Sequence, residues 1–256
     1  MVFLVSNTVN FPAMKPSTQI RHDLARVSEM RARVSTRPDL ATAIQAVKQF
    51  QAQRFASTYA DLLADPTYAG CAEFFMQELY SGRDYSERDA QFARIASTIE
   101  RTFPQQVIAT TVTLAQLHCT TEELDLAMAQ HWSPSRTCSP DQRYLHAWQA
   151  VDQRERRMWQ LGTVLSLGKS LSELTRKRGL RLMLKMMRGP AKLAGLGTLQ
   201  EFLEAGFDRF SGMAKDRTAV DIFLDTIQTR ESAWINWLFA ANQAGLGQPG
   251  HGTRKL

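Results

Sequence analysis

The chain has 256 residues, of which 44% are hydrophobic and 22% charged, and this balance excludes an intrinsically disordered protein. Its 14 glycines, 9 prolines and three cysteines, none of them in a Cys-x-x-Cys pair, exclude a collagen-like chain and a disulfide scaffold. No apolar run approaches the roughly 18 residues that cross a bilayer, so we predict a cytoplasmic protein without a transmembrane segment.

The net charge of +6 is concentrated in one segment of the chain. From Lys169 to Lys192 there are eight lysines or arginines and one acidic residue, Glu173, so this segment carries +7. The remainder of the chain is therefore close to neutral. The basic character belongs to one region and does not describe the whole surface.

Apolar residues recur with the period of about 3.6 that is typical of helices, and few segments alternate as strands do. We predict an all-α fold, a single bundle of about eight to ten helices with no sheet. The predicted helices span residues 17–36, 38–64, 68–80, 86–102, 104–118, 120–131, 140–167, 170–188, 198–212 and 218–244.

Local signals place several ends of these helices. Ser86 and Asp89 have the spacing of a capping box at the start of a helix. Thr120 or Thr121 and, later, Ser170 are predicted to cap the helices that follow them. Gly189-Pro190 is predicted to end the basic helix.

The predicted helical domain covers residues 17–245. We expect residues 1–16 to form a flexible arm and the glycine-rich residues 246–256 to form a flexible tail. The loop at 133–140 is a candidate boundary between two sub-bundles. The similar composition of the two sides favours one domain.

Residues 74–80 read Phe-Phe-Met-Gln-Glu-Leu-Tyr, followed by Gly82-Arg83-Asp84 and Arg88-Asp89. This segment resembles the signature of an uncharacterised bacterial family named for its F-F-L-E-E-L-Y motif, and residues 187–207 are also similar to that family. The resemblance implies a helical bacterial protein with no established activity. Gln77 departs from the motif, which leaves Glu78 as its only carboxylate.

Several charged residues fall on the apolar faces of predicted helices. At about 100° per residue, Glu78 lies inside the apolar arc of helix 68–80, and Glu231 lies inside that of the last helix. A buried carboxylate is costly unless it is paired or protonated. The candidate buried polar cluster comprises Glu78, Arg83, Arg88, Asp89, Arg230 and Glu231.

This cluster has two interpretations. One is a network of salt bridges that holds helices together, and the other is a pocket whose charges face a ligand. At the corner between helices 68–80 and 86–102 we expect a structural clasp, in which Glu78 pairs with Arg88. The pKa of Glu78 should fall if this pairing outweighs desolvation.

Other chemistry has weaker support in the sequence. Asp152-x-x-Glu155 and His118 form an incomplete ligand set, and the Glu-x-x-His motifs of di-iron bundles do not occur. A metal–carboxylate site is therefore the weakest alternative, and we interpret His118 as a core residue. No Walker A, Gly-x-Ser-x-Gly or zinc-finger spacing is present, so we expect no cofactor and favour a non-enzymatic protein.

The basic segment predicts an amphipathic helix with a cationic face. Leucine and methionine fill its other positions, and methionine makes an apolar surface adaptable. The candidate partner-binding residues, spaced by three or four, are Lys177, Arg181, Lys185, Arg188 and Lys192.

The leading functional hypothesis is therefore an interaction or scaffold protein whose basic helix binds an unknown protein partner. Nucleic acid and an anionic membrane surface are weaker alternatives, because no nucleic-acid module or interleaved aromatics accompany the cations. A different class remains open, in which a small ligand or substrate binds at the buried Glu/Arg cluster.

Overall fold

The computed structural model describes residues 14–79, 82–132, 138–177 and 179–241, and these residues form helices without any strand. The predicted all-α fold is confirmed, with eleven helices in the described ranges where eight to ten were expected. They are α1 (Pro16–Ser35), α2 (Pro38–Thr58), α3 (Ala60–Ala64), α4 (Ala69–Leu79), α5 (Ser86–Thr102), α6 (Gln105–Gln130), α7 (Pro140–Val151), α8 (Arg154–Thr175), α9 (Leu180–Leu193), α10 (Gly197–Met213) and α11 (Arg217–Ala240). The predicted tail, residues 1–13 of the predicted arm and residues 133–137 of the predicted loop lie outside the described residues.

Two backbone breaks and one fusion explain the difference in helix number. Tyr59 leaves helical geometry with φ −114° and ψ 25°, which separates α2 from α3. Asp152 takes the left-handed conformation with φ 44°, which an aspartate tolerates, and divides the predicted helix 140–167 into α7 and α8. The predicted helices 104–118 and 120–131 are one helix, α6, because no glycine or proline interrupts it.

The predicted caps near the basic helix and at α5 are wrong. Ser170 lies inside α8, and α9 begins only after Gly179, whose φ of 98° favours glycine. Gly189-Pro190 lies within α9 and does not end it. At α5, the Ser86 N–H is satisfied by Asp84 Oδ1 at 2.9 Å, so no capping box forms with Asp89.

Two groups of buried apolar side chains form the core. The larger group includes Phe75, whose ring centroid lies 5.9 Å from that of Phe210 and 5.7 Å from that of Phe223. It draws side chains from both sides of residues 133–140. The smaller group joins α1, α5 and α6 through Ile20, Leu24, Ala96 and Ala115.

Helix α9 is the least enclosed of the long helices. It packs mainly on α10 and meets α8 to a smaller extent. Ala191 is its one buried residue among those described. None of the described helices combines the length and apolarity needed to cross a membrane.

Candidate functional site

Glu78 at the end of α4 and Arg88 in α5 face each other across the corner between the two helices. Arg88 Nη1 donates a hydrogen bond to Glu78 Oε2 at 2.6 Å. The Arg88 guanidinium carbon also lies 4.0 Å from the ring centroid of Tyr85 and 4.7 Å from that of Phe202. The carboxylate of Glu78, that of Asp89 at 3.4 Å and two aromatic faces therefore hold this arginine in a half-buried position.

Asp89 lies at the centre of a wider charged network. Its Oδ2 atom accepts a hydrogen bond from Arg31 Nη1 at 2.8 Å and lies 2.8 Å from His118 Nε2. Burial opposes the ionisation of Asp89, but the hydrogen bond and charge of His118 and the charges of Arg88 and Arg31 outweigh it. The pKa of Asp89 is consequently held below its usual range.

Glu122 extends this network towards α2. Lys48 Nζ donates to Glu122 Oε1 at 2.8 Å, and Arg31 Nη2 lies 3.8 Å from the same oxygen. The charged residues of the network therefore come from α1, α2, α4, α5 and α6, and Phe202 adds α10. The residues predicted from the sequence did not include Arg31, Lys48 and Glu122, because helical periodicity does not tell which helices become neighbours.

The pKa of Glu78 moves in the direction opposite to that of Asp89. Burial raises it, despite the charges of Arg88 and the exposed Arg83. The expected fall required the pairing with Arg88 to outweigh desolvation, and this condition is not met. Glu78 receives one strong hydrogen bond, from Arg88, where Asp89 has two close partners, Arg31 and His118.

A cavity of about 90 Å³ lies beside the network. Glu78, Arg88, Asp89 and His118 line its polar side. Most of the remaining wall is apolar and includes Phe74, Phe75, Phe92, Leu114, Leu171 and Phe202. The first cavity is therefore a small apolar space with ionisable groups at one side.

The other two members of the predicted cluster, Arg230 and Glu231, form a separate group on α11. Tyr59 donates its hydroxyl hydrogen to Glu231 Oε1 at 2.8 Å, and Arg54 pairs with the same carboxylate. Arg230 donates to the two carboxylate oxygens of Asp61 at 2.7 and 2.6 Å. Glu231 lines a second cavity, of about 70 Å³, which does not include Glu78 or Arg88.

Three side chains divide these two cavities. Phe75, Thr121 and Val164 line both of them and so form the partition. Glu78 and Glu231, which were predicted to belong to one cluster, therefore line two different cavities.

The candidate partner-binding cations lie on α9 and in the turn before it. Arg181 Nη2 pairs with Asp208 at 2.9 Å, and Arg188 Nε donates to the two oxygens of Glu204 at 2.6 and 2.8 Å. Lys177 donates to Gln106. The remaining two, Lys185 and Lys192, are exposed.

Beside these cations, α9 exposes large apolar side chains. Leu182, Met186 and Leu193 have exposed fractions of 62%, 71% and 93%. At about 100° per residue, they fall within roughly 40° of one another on the helix surface, and the cations adjoin them on one flank. We call Leu182, Met186 and Leu193, together with Lys185 and Lys192, the α9 outer face.

The ligand set considered for a metal does not come together. Asp152 ends α7, and His118 binds Asp89 instead. In the described ranges, no three His, Cys, Asp or Glu side chains are grouped so that they could hold a metal ion.

These features define a class: an all-α protein with a buried charged network, two interior cavities and a basic outer helix. The chain belongs to the family described as a domain of unknown function (DUF8198), whose model matches residues 30–245. Searches of the curated proteins and of the solved structures each returned no match. The matched region contains both cavities' charged residues and all of α9.

Proposed function

We propose that this protein is a non-enzymatic interaction protein that binds an acidic protein partner on the α9 outer face. The observation that carries the proposal is the exposure of Leu182, Met186 and Leu193 along one line of the helix. Contiguous exposed apolar surface is characteristic of interaction sites. The adjoining Lys185 and Lys192 favour a partner with acidic residues beside its own apolar stripe.

The charges on α9 favour a protein over a membrane or a nucleic acid. Asp208 and Glu204 of α10 already neutralise Arg181 and Arg188, so few cations are left for a phosphate-rich surface. Each cation adds only about 1 kcal/mol to binding at an anionic membrane. An apolar stripe contributes nothing to contacts with a phosphate backbone.

Site-specific photo-crosslinking in the source cells tests this proposal. A photoreactive residue at Met186 should give one discrete protein adduct, and the same residue at Ile222 should not. Ile222 is a matched control because it is apolar, 48% exposed and on α11.

Charge reversal tests the role of the cations in the same assay. Lys185→Glu with Lys192→Glu should abolish the Met186 adduct, whereas Lys215→Glu with Arg217→Glu, also exposed, should preserve it. An adduct that survives the first pair would contradict the proposal. Binding of the purified chain to phosphatidylglycerol vesicles or duplex DNA, lost in the same variant, would replace it with a membrane or nucleic-acid function.

A second candidate function is a small-ligand binder or enzyme centred on Glu78. It is favoured by the position of this carboxyl, with its raised pKa, on the wall of an apolar cavity. Such a group can exchange a proton with a ligand or receive a hydrogen bond from it. Denaturing mass spectrometry should then release a small molecule from native protein and from Gln77→Ala, but not from Glu78→Gln.

We also propose a cytoplasmic location and a bacterial origin. The location is supported by the three cysteines, Cys71, Cys119 and Cys138, which are all unpaired. The origin is supported by the resemblance of residues 74–89 to the F-F-L-E-E-L-Y family.

A further inference from the structure

His118 of α6 has one ring nitrogen that is held by the charged network. Its Nε2 atom lies 2.8 Å from Asp89 Oδ2. The pKa of Asp89 is lowered, so this carboxyl is ionised near neutral pH and can only accept a hydrogen bond. Nε2 therefore carries the hydrogen of this contact, and Asp89 fixes the orientation of the imidazole ring.

The other ring nitrogen of His118, Nδ1, is not used by the protein. It has no hydrogen-bond partner among the residues that the structure describes, and it is not one of the unpartnered polar atoms that are fully buried. The side chain keeps 16% of its surface exposed and lines the first cavity. A ligand in this cavity can therefore reach Nδ1.

Glu78 provides a second unused atom on the same side of the cavity. Its Oε2 atom accepts the hydrogen bond from Arg88, whereas Oε1 has no partner within the described ranges. His118 is close enough for its charge to act on the pKa of Glu78. Two hydrogen-bonding atoms of neighbouring side chains are thus available to a ligand in the first cavity.

The rest of the cavity offers an apolar surface beside these atoms. Leu114 precedes His118 by four residues on α6, and Phe92 follows Asp89 by three residues on α5, so each lies on the same helix face as its polar neighbour. Phe74 of α4 adds an aromatic side chain to this wall. The lining therefore suits a molecule with one polar end and a short apolar body.

The charges around the cavity compensate one another. Each of three carboxylates has a cationic nitrogen within 2.8 Å: Glu78 contacts Arg88, Asp89 contacts Arg31, and Glu122 contacts Lys48. A charged ligand would lose its hydration here without gaining a free counter-charge, which is costly. These ion pairs favour a neutral ligand.

A hydroxyl group both donates and accepts hydrogen bonds, so it matches an imidazole nitrogen and a carboxyl oxygen in either of their protonation states. We propose that the first cavity binds a small neutral alcohol whose hydroxyl group forms a hydrogen bond with His118 Nδ1, beside Glu78. The volume of about 90 Å³ is roughly three fifths of that of an engineered cavity that holds benzene, so the alcohol has about three or four carbons. The inference rests on the second candidate function, because it needs a ligand site in this cavity.

The ring nitrogens of the native protein provide the direct test, since the chain has five histidines. In a long-range ¹H–¹⁵N spectrum of the full chain, 1-propanol should shift the Nδ1 signal of His118 in a saturable manner and leave the signals of His146 unchanged. His146 is a suitable internal control because it is exposed on α7. This measurement needs no variant, so it stays decisive if a core substitution prevents folding.

Variants then assign the interaction to His118. In titrations followed by the backbone signals of the cavity lining, His118→Phe should weaken 1-propanol binding at least tenfold, whereas His146→Phe should not. Asp89 keeps its contact with Arg31 at 2.8 Å in the first variant, so the carboxylate is not left unpaired. Binding by Lys185→Glu with Lys192→Glu should equal that of the native protein, because the cavity is independent of the α9 outer face.

Ligand analogues test the hydroxyl group and the absence of charge. 1-Propanethiol has a similar shape but is a weak hydrogen-bonding partner, so it should bind at least fivefold more weakly than 1-propanol. Propionate and propylammonium should each bind at least tenfold more weakly. Equal affinities for 1-propanol and 1-propanethiol would overturn the inference, because the cavity would then recognise only an apolar body.

The inference and the second candidate function can fail separately. A small molecule released from the native protein but not from Glu78→Gln, without saturable shifts of His118 by 1-propanol, 2-propanol and 1-butanol, would overturn the inference and keep that function. Equal 1-propanol binding by Glu78→Gln and the native protein, with the tenfold loss in His118→Phe, would support the contact with His118 and contradict a function centred on Glu78.

Discussion

At the residue scale, Glu78 and Asp89 belong to one network, yet their pKa values shift in opposite directions. Asp89 has Arg31 and His118 within 2.8 Å of one oxygen, and its pKa is lowered although burial opposes this. Glu78 has the single short contact with Arg88, and burial raises its pKa. The balance between burial and the hydrogen bonds and charges that favour the ionised form therefore decides the direction of each pKa shift.

We expect Glu78→Gln to destabilise the protein by about 3 kcal/mol. This is the lower end of the range for breaking a buried ion pair, because Asp89 remains 3.4 Å from Arg88 in the variant. Chemical denaturation gives the free energy of unfolding. Gln77→Ala is the control and should change it little, because the contact of Gln77 with Tyr85 uses its backbone carbonyl. Equal stability of Glu78→Gln and native protein would exclude a structural clasp.

Asp125 provides a pH prediction with a definite sign. Its raised pKa means that the folded state binds more protons than the unfolded state, so this group lowers stability as pH rises from about 4 through the folded pKa. Burial is the main cause of this rise in pKa, Lys48 and Arg157 oppose it, and Glu122 adds to it. Asp89 acts in the opposite sense, since its stabilisation is present above about pH 4 and is lost on acidification.

We therefore expect Asp125→Asn to gain stability relative to the native protein as pH rises above about 4, the ordinary pKa of an aspartate. Urea unfolding at a series of pH values from about 4 to about 8 measures this difference. The exposed Asp221→Asn should show a constant difference over the same range. A pH-independent effect of Asp125→Asn would show that Asp125 is ionised throughout.

At the element scale, two glycines of the basic region have opposite roles. Gly179 has φ 98° and precedes α9, whereas Gly189 lies inside the helix, where an added Cβ would meet no atom within 4 Å. The start of α9 thus depends on a conformation that other residues rarely adopt. Residue composition alone predicts that the helix ends at Gly189-Pro190. Composition contains no information about the backbone angles that the folded chain adopts at each glycine.

These roles predict stability changes of opposite sign for the same substitution. Gly179→Ala should destabilise the protein by about 1–2 kcal/mol through backbone strain. Gly189→Ala should stabilise it by up to about 1 kcal/mol through helix propensity. Thermal unfolding of the two variants beside the native protein measures both changes. Destabilisation of similar size in both would contradict this assignment of the helix start.

At the scale of the whole molecule, Phe75, Thr121 and Val164 line both of the cavities described above and so lie between them. Phe75 belongs to the motif helix α4 and is 7% exposed, with its ring against Phe210 and Phe223. The motif therefore contributes a charged residue, Glu78, to one compartment and part of the wall to both.

Phe75→Ala should join the cavities of about 90 and 70 Å³ and destabilise the protein by about 3–5 kcal/mol. The merged space exceeds the volume that accommodates benzene, so benzene should raise the melting temperature of this variant. The native protein and the exposed control Ile222→Ala should not respond to benzene. A benzene response equal to that of the native protein would show that the cavities remain separate.

The sequence by itself was sufficient for the helical class, for most helix ends and for the contact between Glu78 and Arg88. These depend on short stretches of chain, because periodicity and a tight corner act over a few residues. The amphipathic character of α9 was also visible, since it is a property of one helix.

The tertiary structure decided which helices meet, and with this the composition of each polar group. Arg31 and His118 reach Asp89 from α1 and α6, while Glu231 pairs with Arg54 away from Glu78. A helical pattern fixes the face on which a side chain lies but contains no information about the opposing helix. Two cavities in place of one cluster therefore follow from long-range packing, which local periodicity cannot specify.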